Sequence, residues 1–308
     1  MLVIFDLDGT LLDTLQDLAE GTNYALRVNG LPERTLDEIR QFVGNGARKL
    51  VERAVPKDKE ESVLEHVRQD FDIYYTKSHG DATQAAREYV LAHDDFTRIY
   101  ACGGDGTLNE VINGVYDLDN CAVAPVPVGS GNDFIRSFEI EKEKFLDIKN
   151  LINGEEIIVD LLKCGDKISA NSITVGFDCA VAKHVDKFKK RKFISSSLAY
   201  KLSIFYCLIK ERSHNFRVIA DGREIKEDNT YLLSVCAKGK YYGGGIKCSP
   251  LADNSDGYID FMAVTTVGIF KFISLLSTFV KGEHINNPKL DFVSHRKVGS
   301  ICYKNDKP

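Results

Sequence analysis

Short apolar runs alternate with longer amphipathic stretches through the first half of the chain, then give way to closely spaced apolar runs. Leu2–Phe5 is an apolar run ended by Asp6-x-Asp8-Gly9, the pattern of a buried strand feeding a tight turn. Leu15, Leu18, Ala19, Ala25 and Leu26 mostly follow helical spacing, and Asn29-Gly30 stops that helix. Thr35–Val43, Ala47–Ala54 and a charged stretch from about Lys57 to Phe71 predict further helices. From Ile73 the rhythm changes. Strands over Asp72–Thr76, Thr97–Cys102 and Cys121–Val128 alternate with helices over Asp81–Ala92 and Leu108–Val115, as in a parallel α/β sheet.

After about Asn150, strands follow at short spacing: Glu156–Cys164, Ile168–Val175, Asn215–Ala220, Tyr231–Ala237 and Tyr258–Val264. Helices at about Ile194–Ile209 and Val267–Val280 interrupt them. The expected fold class is α/β: a parallel nucleotide-binding domain over 73–150, then a β-rich, sandwich-like domain over 151–308. The strand and helices of residues 1–72 precede both.

Length and composition narrow this picture only a little. A chain of 308 residues predicts about two domains, and 44% hydrophobic with 28% charged residues is ordinary for a globular protein. A net charge of −5 argues against nucleic acid as the main partner. The charge is uneven, with 9 Lys/Arg against 15 Asp/Glu in residues 1–72. Eight scattered cysteines without a Cys-x-x-Cys pair fit a reducing, cytoplasmic home rather than a disulfide framework. No stretch reads as a signal peptide, and the two longest apolar stretches are too short and polar to span a bilayer. Oligomeric state leaves no trace in the sequence.

Candidate chemistry centres on Gly103-Gly104-Asp105-Gly106-Thr107, between a predicted strand and a helix opening at Thr107. Glycines let the backbone approach a ligand, and the N–H groups of such a loop and helix start suit phosphate oxygens. Asp105 among those donors implies Mg²⁺ between it and a phosphate. The alternative is a sharp turn with Thr107 and Glu110 as a capping box. Gly129-Ser130-Gly131-Asn132-Asp133 repeats the strand–loop–helix logic, with a plain N-cap at Ser130 or Asn132 as its alternative. Together the loops are expected to set two carboxylates on one sheet edge.

GGDGTLNEVINGV at Gly103–Val115 and PVPVGSGNDFIRSF at Pro125–Phe138 resemble the diacylglycerol kinase catalytic family of bacterial lipid kinases and their sphingosine-kinase relatives. The likeness continues through YYTKSHGDATQAAR, NSITVGFDCAVA, GGGIKCSPLADNSDGYIDF and VKGEH, about residues 73 to 308. The resemblance implies ATP-dependent phosphorylation of a lipid hydroxyl, with nucleotide in the cleft of a two-domain fold. By matching motif, Thr76, Gly103, Gly104, Asp105, Gly106, Thr107, Leu108, Asn109 and Ser130 contact ATP. Asp105 and Asp133 organise Mg²⁺ and phosphates. Asp253, Asp256 and Tyr258 are implied to hold a second, structural Mg²⁺, partly through backbone oxygens.

The match has two departures. The family's first strand carries an Asn-Pro-x-Ser-Gly loop that has no counterpart here. Its Asp-Gly-Glu segment, whose Glu is the general base, has no match before Pro308, and Glu283 matches a different family position. Loss of a general base is worth roughly 10²–10⁴-fold. At the front, LVIFDLDGTLLDTLQDLAEGTNYAL resembles the haloacid dehalogenase superfamily, and IRQFVGNGARKLVERAV is similar to the helical cap of phosphoglycolate phosphatases. That resemblance implies Asp6 as nucleophile and Asp8 as acid/base, without the family's later Lys and metal acids. Leu2–Phe5 is then expected to take the sheet position of the kinase's absent first strand.

Lys183–Phe193 holds six Lys/Arg against one Asp, with Phe188 and Phe193 interleaved, ahead of the apolar-rich Ile194–Ile209. Such a segment suits peripheral docking on anionic headgroups, where a lipid substrate lies; a solvated helix face is the alternative. Three function classes follow: a lipid kinase, a phosphoglycolate phosphatase-like hydrolase, and a non-catalytic nucleotide-binding protein.

Overall fold

Leu2–Phe5 forms β1, whose Leu2 and Ile4 are buried while Val3 and Phe5 are half-buried. It lies between β2 (Asp72–Tyr75) and β3 (Thr97–Gly103) and pairs parallel with both, Ile4 facing Tyr74 on one side and Ala101 on the other. With β4 (Cys121–Pro127) beside β3, the sheet order is β2-β1-β3-β4. The position expected for Leu2–Phe5 is the one it takes. The structure is a computed structural model and describes residues 1–5, 23, 26–27, 31–42, 72–189, 196–225, 230–285 and 293–304. The helices expected over 47–54 and 57–71 lie outside the described residues.

The chain divides into two units, Met1–Ile135 with Glu139–Glu156, and Arg136–Phe138 with Ile157–Pro308. β1 therefore belongs to the first unit, with β2, β3 and β4, because both its edges are hydrogen-bonded inside that sheet. The boundary falls at 156/157 rather than 150/151. Helix α1 (Leu36–Phe42) starts at a capping box in which the Thr35 N–H donates to Glu38 Oε2 at 2.8 Å. Helices α2 (Asp81–Leu91) and α3 (Asp105–Val115) follow β2 and β3. They approach closely: the Thr83 hydroxyl donates to the Glu110 carbonyl at 2.9 Å, and a Cβ on Gly114 would sit 2.4 Å from Thr83 O. Short helices α4 (Asp133–Arg136), α5 (Lys142–Leu146) and α6 (Ile148–Asn153) follow β4.

The second unit is β-rich. Strand β5 (Leu162–Cys164) pairs with β6 (Lys167–Ser169). The strand expected over Glu156–Cys164 shrinks to its last three residues, since Ile157 and Ile158 are exposed. The run expected as one strand over Ile168–Val175 splits into β6 and β7 (Ser172–Gly176). Helices α7 (Phe177–Lys189) and α8 (Ser196–Lys210) come next; α7 is a helix the apolar spacing had not suggested. Strands β8 (His214–Asn215), β9 (Arg217–Ala220), β10 (Arg223–Glu224), β11 (Thr230–Ala237) and β12 (Ile259–Thr265) lead to helix α9 (Ile269–Val280). Strands β13 (Val293–Val298) and β14 (Ile301–Lys304) complete it.

A sheet ordered β13-β12-β11-β7, with β8 against β11, forms the centre of this unit. One face packs Val235, Ala237, Met262 and Val264 against Phe177, Ala180, Val181, Cys207 and Phe279 of the helices. The other packs Cys236, Phe261 and Ala263 against Val218 and Ala220 of the β10-β9-β14 sheet. Burial on both faces explains why β11 and β12 are continuous apolar runs rather than alternating ones.

Ile4 is fully buried in β1, so Ile4→Ala is expected to lower the unfolding free energy by about 2–4 kcal/mol in urea melts. A loss within about 0.5 kcal/mol, the range of a surface substitution, would place Leu2–Phe5 outside the sheet.

Candidate phosphate-binding site

The parallel strands end together. The Thr76 N–H donates to the Phe5 carbonyl at 2.9 Å, and the Gly129 N–H donates to the Gly103 carbonyl at 3.2 Å. Buried Thr76 and the two glycine loops therefore share the C-terminal edge of one sheet, the edge where open α/β sheets bind ligands.

Gly103 is the last residue of β3 and Gly104 the extended residue that opens α3. The Leu108 N–H bonds back to the Gly104 carbonyl at 3.1 Å, so the helix starts at Asp105, two residues earlier than expected. This displaces the capping box. Thr107 lies a full turn start inside the helix and Glu110 deeper still, so neither can cap it. Instead Glu110 Oε1 accepts the Gly80 N–H at 2.9 Å and pairs with His79, tying the start of α2 to α3. The N-cap residue, Gly104, has no side chain with which to cap α3.

The glycines divide by what surrounds them. A Cβ on Gly103 would collide with Thr107 Oγ1 at 2.1 Å, and one on Gly129 would lie 2.4 Å from Gly104 Cα. Gly106 has open space where a Cβ would be. Gly129 therefore serves the close approach of the two loops, and Gly103 makes room for Thr107 of its own helix; Gly106 serves something outside the chain or nothing. Asp105 Oδ1 accepts the Phe134 N–H at 3.1 Å, so its carboxylate joins the first loop to α4. Asp133 opens α4 and is buried. Asn132 is buried in the left-handed region at φ 53°, and its side-chain amide donates to the Pro127 carbonyl at 3.3 Å and to that of Gly129. The side chain of Asn132 closes its own loop rather than capping a helix. Leu108 is buried, while Asn109 and Ser130 are exposed.

The donor set at this edge suits Mg²⁺, since Asp105 and Asp133 bring hard carboxylate oxygens to adjoining loops. Asp6 and Asp8 lie outside the described residues.

Asp253, Asp256 and Tyr258 sit in the turn before β12, and their surroundings differ from a metal cage. Lys238, directly after β11, is buried, and its Nζ lies 2.8 Å from each of Asp160 Oδ2, Asp256 Oδ1 and the Tyr258 carbonyl. Lys297 pairs with the other oxygen of Asp256. Asp253 Oδ1 accepts from the Ser255 N–H at 2.9 Å and from its hydroxyl at 3.0 Å. Burial alone lowers the affinity of Lys238 for its proton, but the bonds to Asp160 and Asp256 outweigh it and hold the pKa above the ordinary value. Burial likewise opposes the ionised form of Asp256, and the two ammonium groups overcome it, keeping the carboxyl far below its usual range. The Asp256 oxygens and the Tyr258 carbonyl that the resemblance gives to a metal are thus bonded to ammonium groups, while Asp253 is bonded to Ser255. Lys238, Asp160 and Lys297 carried no motif in the sequence. Asp178, in the first turn of α7, was likewise missed; burial pushes its carboxyl up to about 6.

A parallel sheet with glycine loops at its C-terminal edge, followed by a β-rich second unit, is a two-domain architecture with a candidate ligand edge. Comparison with known proteins makes this specific. Residues 43–164 match the diacylglycerol kinase catalytic domain, and residues 171–303 match the YegS C-terminal NAD kinase beta sandwich-like domain. The diacylglycerol kinase of Bacillus subtilis (strain 168) is 31% identical over 232 residues, 73% of this chain and 75% of that protein. That of Staphylococcus aureus (strain JH9) is 28% identical over 236 residues, 76% and 73% of the two chains. A diacylglycerol kinase crystal structure from Bacillus anthracis str. Sterne shares the fold, with a TM-score of 0.57 at 23% identity over 79% of this chain and 77% of that one. The chain belongs to the diacylglycerol kinase family. The catalytic-domain match begins at residue 43, within the segment that resembled a dehalogenase, and nothing in these matches shows a dehalogenase-like fragment.

The glycine contacts separate packing from ligand binding. Gly129→Ala is expected to lower the melting temperature by about 5–10 °C through the forced separation of the loops. Gly106→Ala, in an open helical position, should leave it unchanged or slightly raised. Equal loss from both in differential scanning calorimetry would contradict the division.

Proposed function

We propose that this protein transfers the γ-phosphoryl group of ATP to a lipid hydroxyl, with the phosphates held on the two glycine loops. The observation that carries the reading is the join of Gly103 to Gly129, which sets a helix start with glycine at its N-cap and open Gly106 beside the Asp105 and Asp133 carboxylates. Helix N-termini and glycine-loop N–H groups stabilise phosphate oxygens, and phosphoryl transfer needs mainly positioning and charge neutralisation. Thr76, Gly103 to Asn109 and Ser130 would contact ATP, and Asp105 and Asp133 would hold Mg²⁺. Bound there, Mg²⁺ supplies positive charge against the β- and γ-phosphate oxygens. Asp105 also keeps the second loop in place through Phe134, so one carboxylate both orients and binds. In the transfer, the lipid hydroxyl oxygen bonds to the γ-phosphorus as the bond to the β–γ bridging oxygen breaks, ADP leaves and the hydroxyl proton passes to solvent water.

The family supports a lipid acceptor, and the relatives named above make diacylglycerol the first one to assay. ATP with Mg²⁺ is expected to raise the melting temperature of the wild-type protein. Asp105→Asn, which retains an acceptor for the Phe134 N–H, should abolish that rise and cut phosphate incorporation into lipid by about 10²-fold or more. Stabilisation by ATP with no labelled lipid from any acceptor would mark a nucleotide-binding protein and end the kinase reading.

Lipid access calls for contact with a bilayer, and no helix among the described residues is long and apolar enough to cross one. We assign peripheral contact to the basic stretch beginning in α7 and to α8, where Phe205 and Ile209 are exposed one turn apart. Sedimentation with anionic vesicles should fall sharply when Phe205→Ser and Ile209→Ser are combined, and should weaken with salt. Binding indifferent to both would rule the surface out.

A further inference from the structure

The turn over Asp253–Tyr258 has the composition of a cation site, yet its cation belongs to the chain. An ammonium has three N–H donors, and Lys238 Nζ has three oxygen acceptors at 2.8 Å: Asp160 Oδ2, Asp256 Oδ1 and the Tyr258 carbonyl. Its donors are thus fully used in a position almost closed to water. The same oxygens fix the turn from other sides. Asp160 Oδ2 accepts the Gly257 N–H at 2.7 Å, the Asp160 N–H donates to the Asn254 carbonyl at 2.6 Å, and Asp256 Oδ1 accepts the Tyr258 N–H at 3.1 Å. The segment before β5, the end of β11 and the turn before β12 therefore meet on one nitrogen.

Charge points the same way. Lys238 and Lys297 already set two ammonium groups against Asp256, with Asp160 also on Lys238 and buried Asp260 4.0 Å from Lys297. A divalent ion added to this cluster would meet like charge at contact distance and find both oxygens of Asp256 engaged. We propose that Lys238 is a built-in replacement for a structural divalent cation, and that the Asp253–Tyr258 turn holds its geometry with no metal. The proposal concerns the folded chain without nucleotide or lipid and stands apart from the kinase reading.

Melting temperatures measured on nucleotide-free protein in excess EDTA and in Mg²⁺ test it. Wild type and Asp105→Asn are compared, so that any Mg²⁺ on the glycine loops is recognised by its loss in the variant. The expected result is no Mg²⁺ dependence in Asp105→Asn. Lys238→Asn, which leaves Asp160 and Asp256 facing each other with a neutral oxygen donor nearby, is expected to melt about 10 °C lower in EDTA. Mg²⁺ should restore part of that loss in Lys238→Asn alone. A fall in EDTA that Mg²⁺ reverses in both wild type and Asp105→Asn would overturn the proposal. So would a Lys238→Asn protein as stable in EDTA as wild type. Should Lys238→Asn not fold in either buffer, the comparison of wild type with Asp105→Asn decides alone.

Discussion

Everything in the first unit hangs on the backbone hydrogen bonds of Leu2–Phe5. β1 is bonded along both edges, to β2 and to β3, and no other described strand touches β2. Remove those bonds and β2 has no partner, while β3 retains only β4. The four residues also set the height of the ligand edge, because the Phe5 carbonyl receives the Thr76 N–H and so fixes where β2 stops. Apolar content makes this possible. Leu2 and Ile4 are almost wholly buried, and burying such side chains favours the sheet by about 1.5–3 kcal/mol each.

The glycine loops inherit this alignment and add a steric constraint of their own. β3 and β4 run in register from Thr97 opposite Cys121 to Gly103 opposite Pro127, so their following loops must leave the sheet side by side. Two loops with side chains at that point would be forced apart. Glycine at 129 lets its backbone touch that of Gly104, and the Gly129 N–H reaches the Gly103 carbonyl. The packing of these loops and the placing of their helix starts are thus one feature: the contact that excludes a side chain at Gly129 also gathers the starts of α3 and α4. Asp105 reinforces it by reaching across to the Phe134 N–H.

The alternation of the first unit was legible because each parallel strand is a separate apolar run followed by an amphipathic helix. The position of β1 was legible for the same reason. The limits of the phosphate loop were less so. Thr107 and Glu110 have capping-box spacing, but Gly104 takes the cap, and Glu110 serves α2 through Gly80 instead. Spacing along one helix says nothing of a neighbour thirty residues away. In the second unit, the two-faced burial of β11 and β12 made them visible, whereas Ile157 and Ile158 misled because they are apolar yet exposed. Helix α7 was hidden by its basic residues, which drew the eye to charge while Ala180, Val181 and Val185 packed against the sheet.

The Asp253–Tyr258 turn shows why a motif specifies a cage more readily than its occupant. Carboxylates and backbone carbonyls in a tight turn declare that positive charge is needed, and the local sequence can say no more. The charge here arrives from a lysine eighteen residues earlier and from a second lysine on β13. An ammonium held covalently is indifferent to the free metal concentration, but it must be desolvated. That cost is offset only while all three of its hydrogens are bonded and the carboxylates remain ionised. Lys238 meets both conditions, with Lys297 supporting Asp256 from outside. The constraint that follows is mutual: with Lys238 and Lys297 in place both oxygens of Asp256 are engaged, and without Lys238 the carboxylates of Asp160 and Asp256 repel each other.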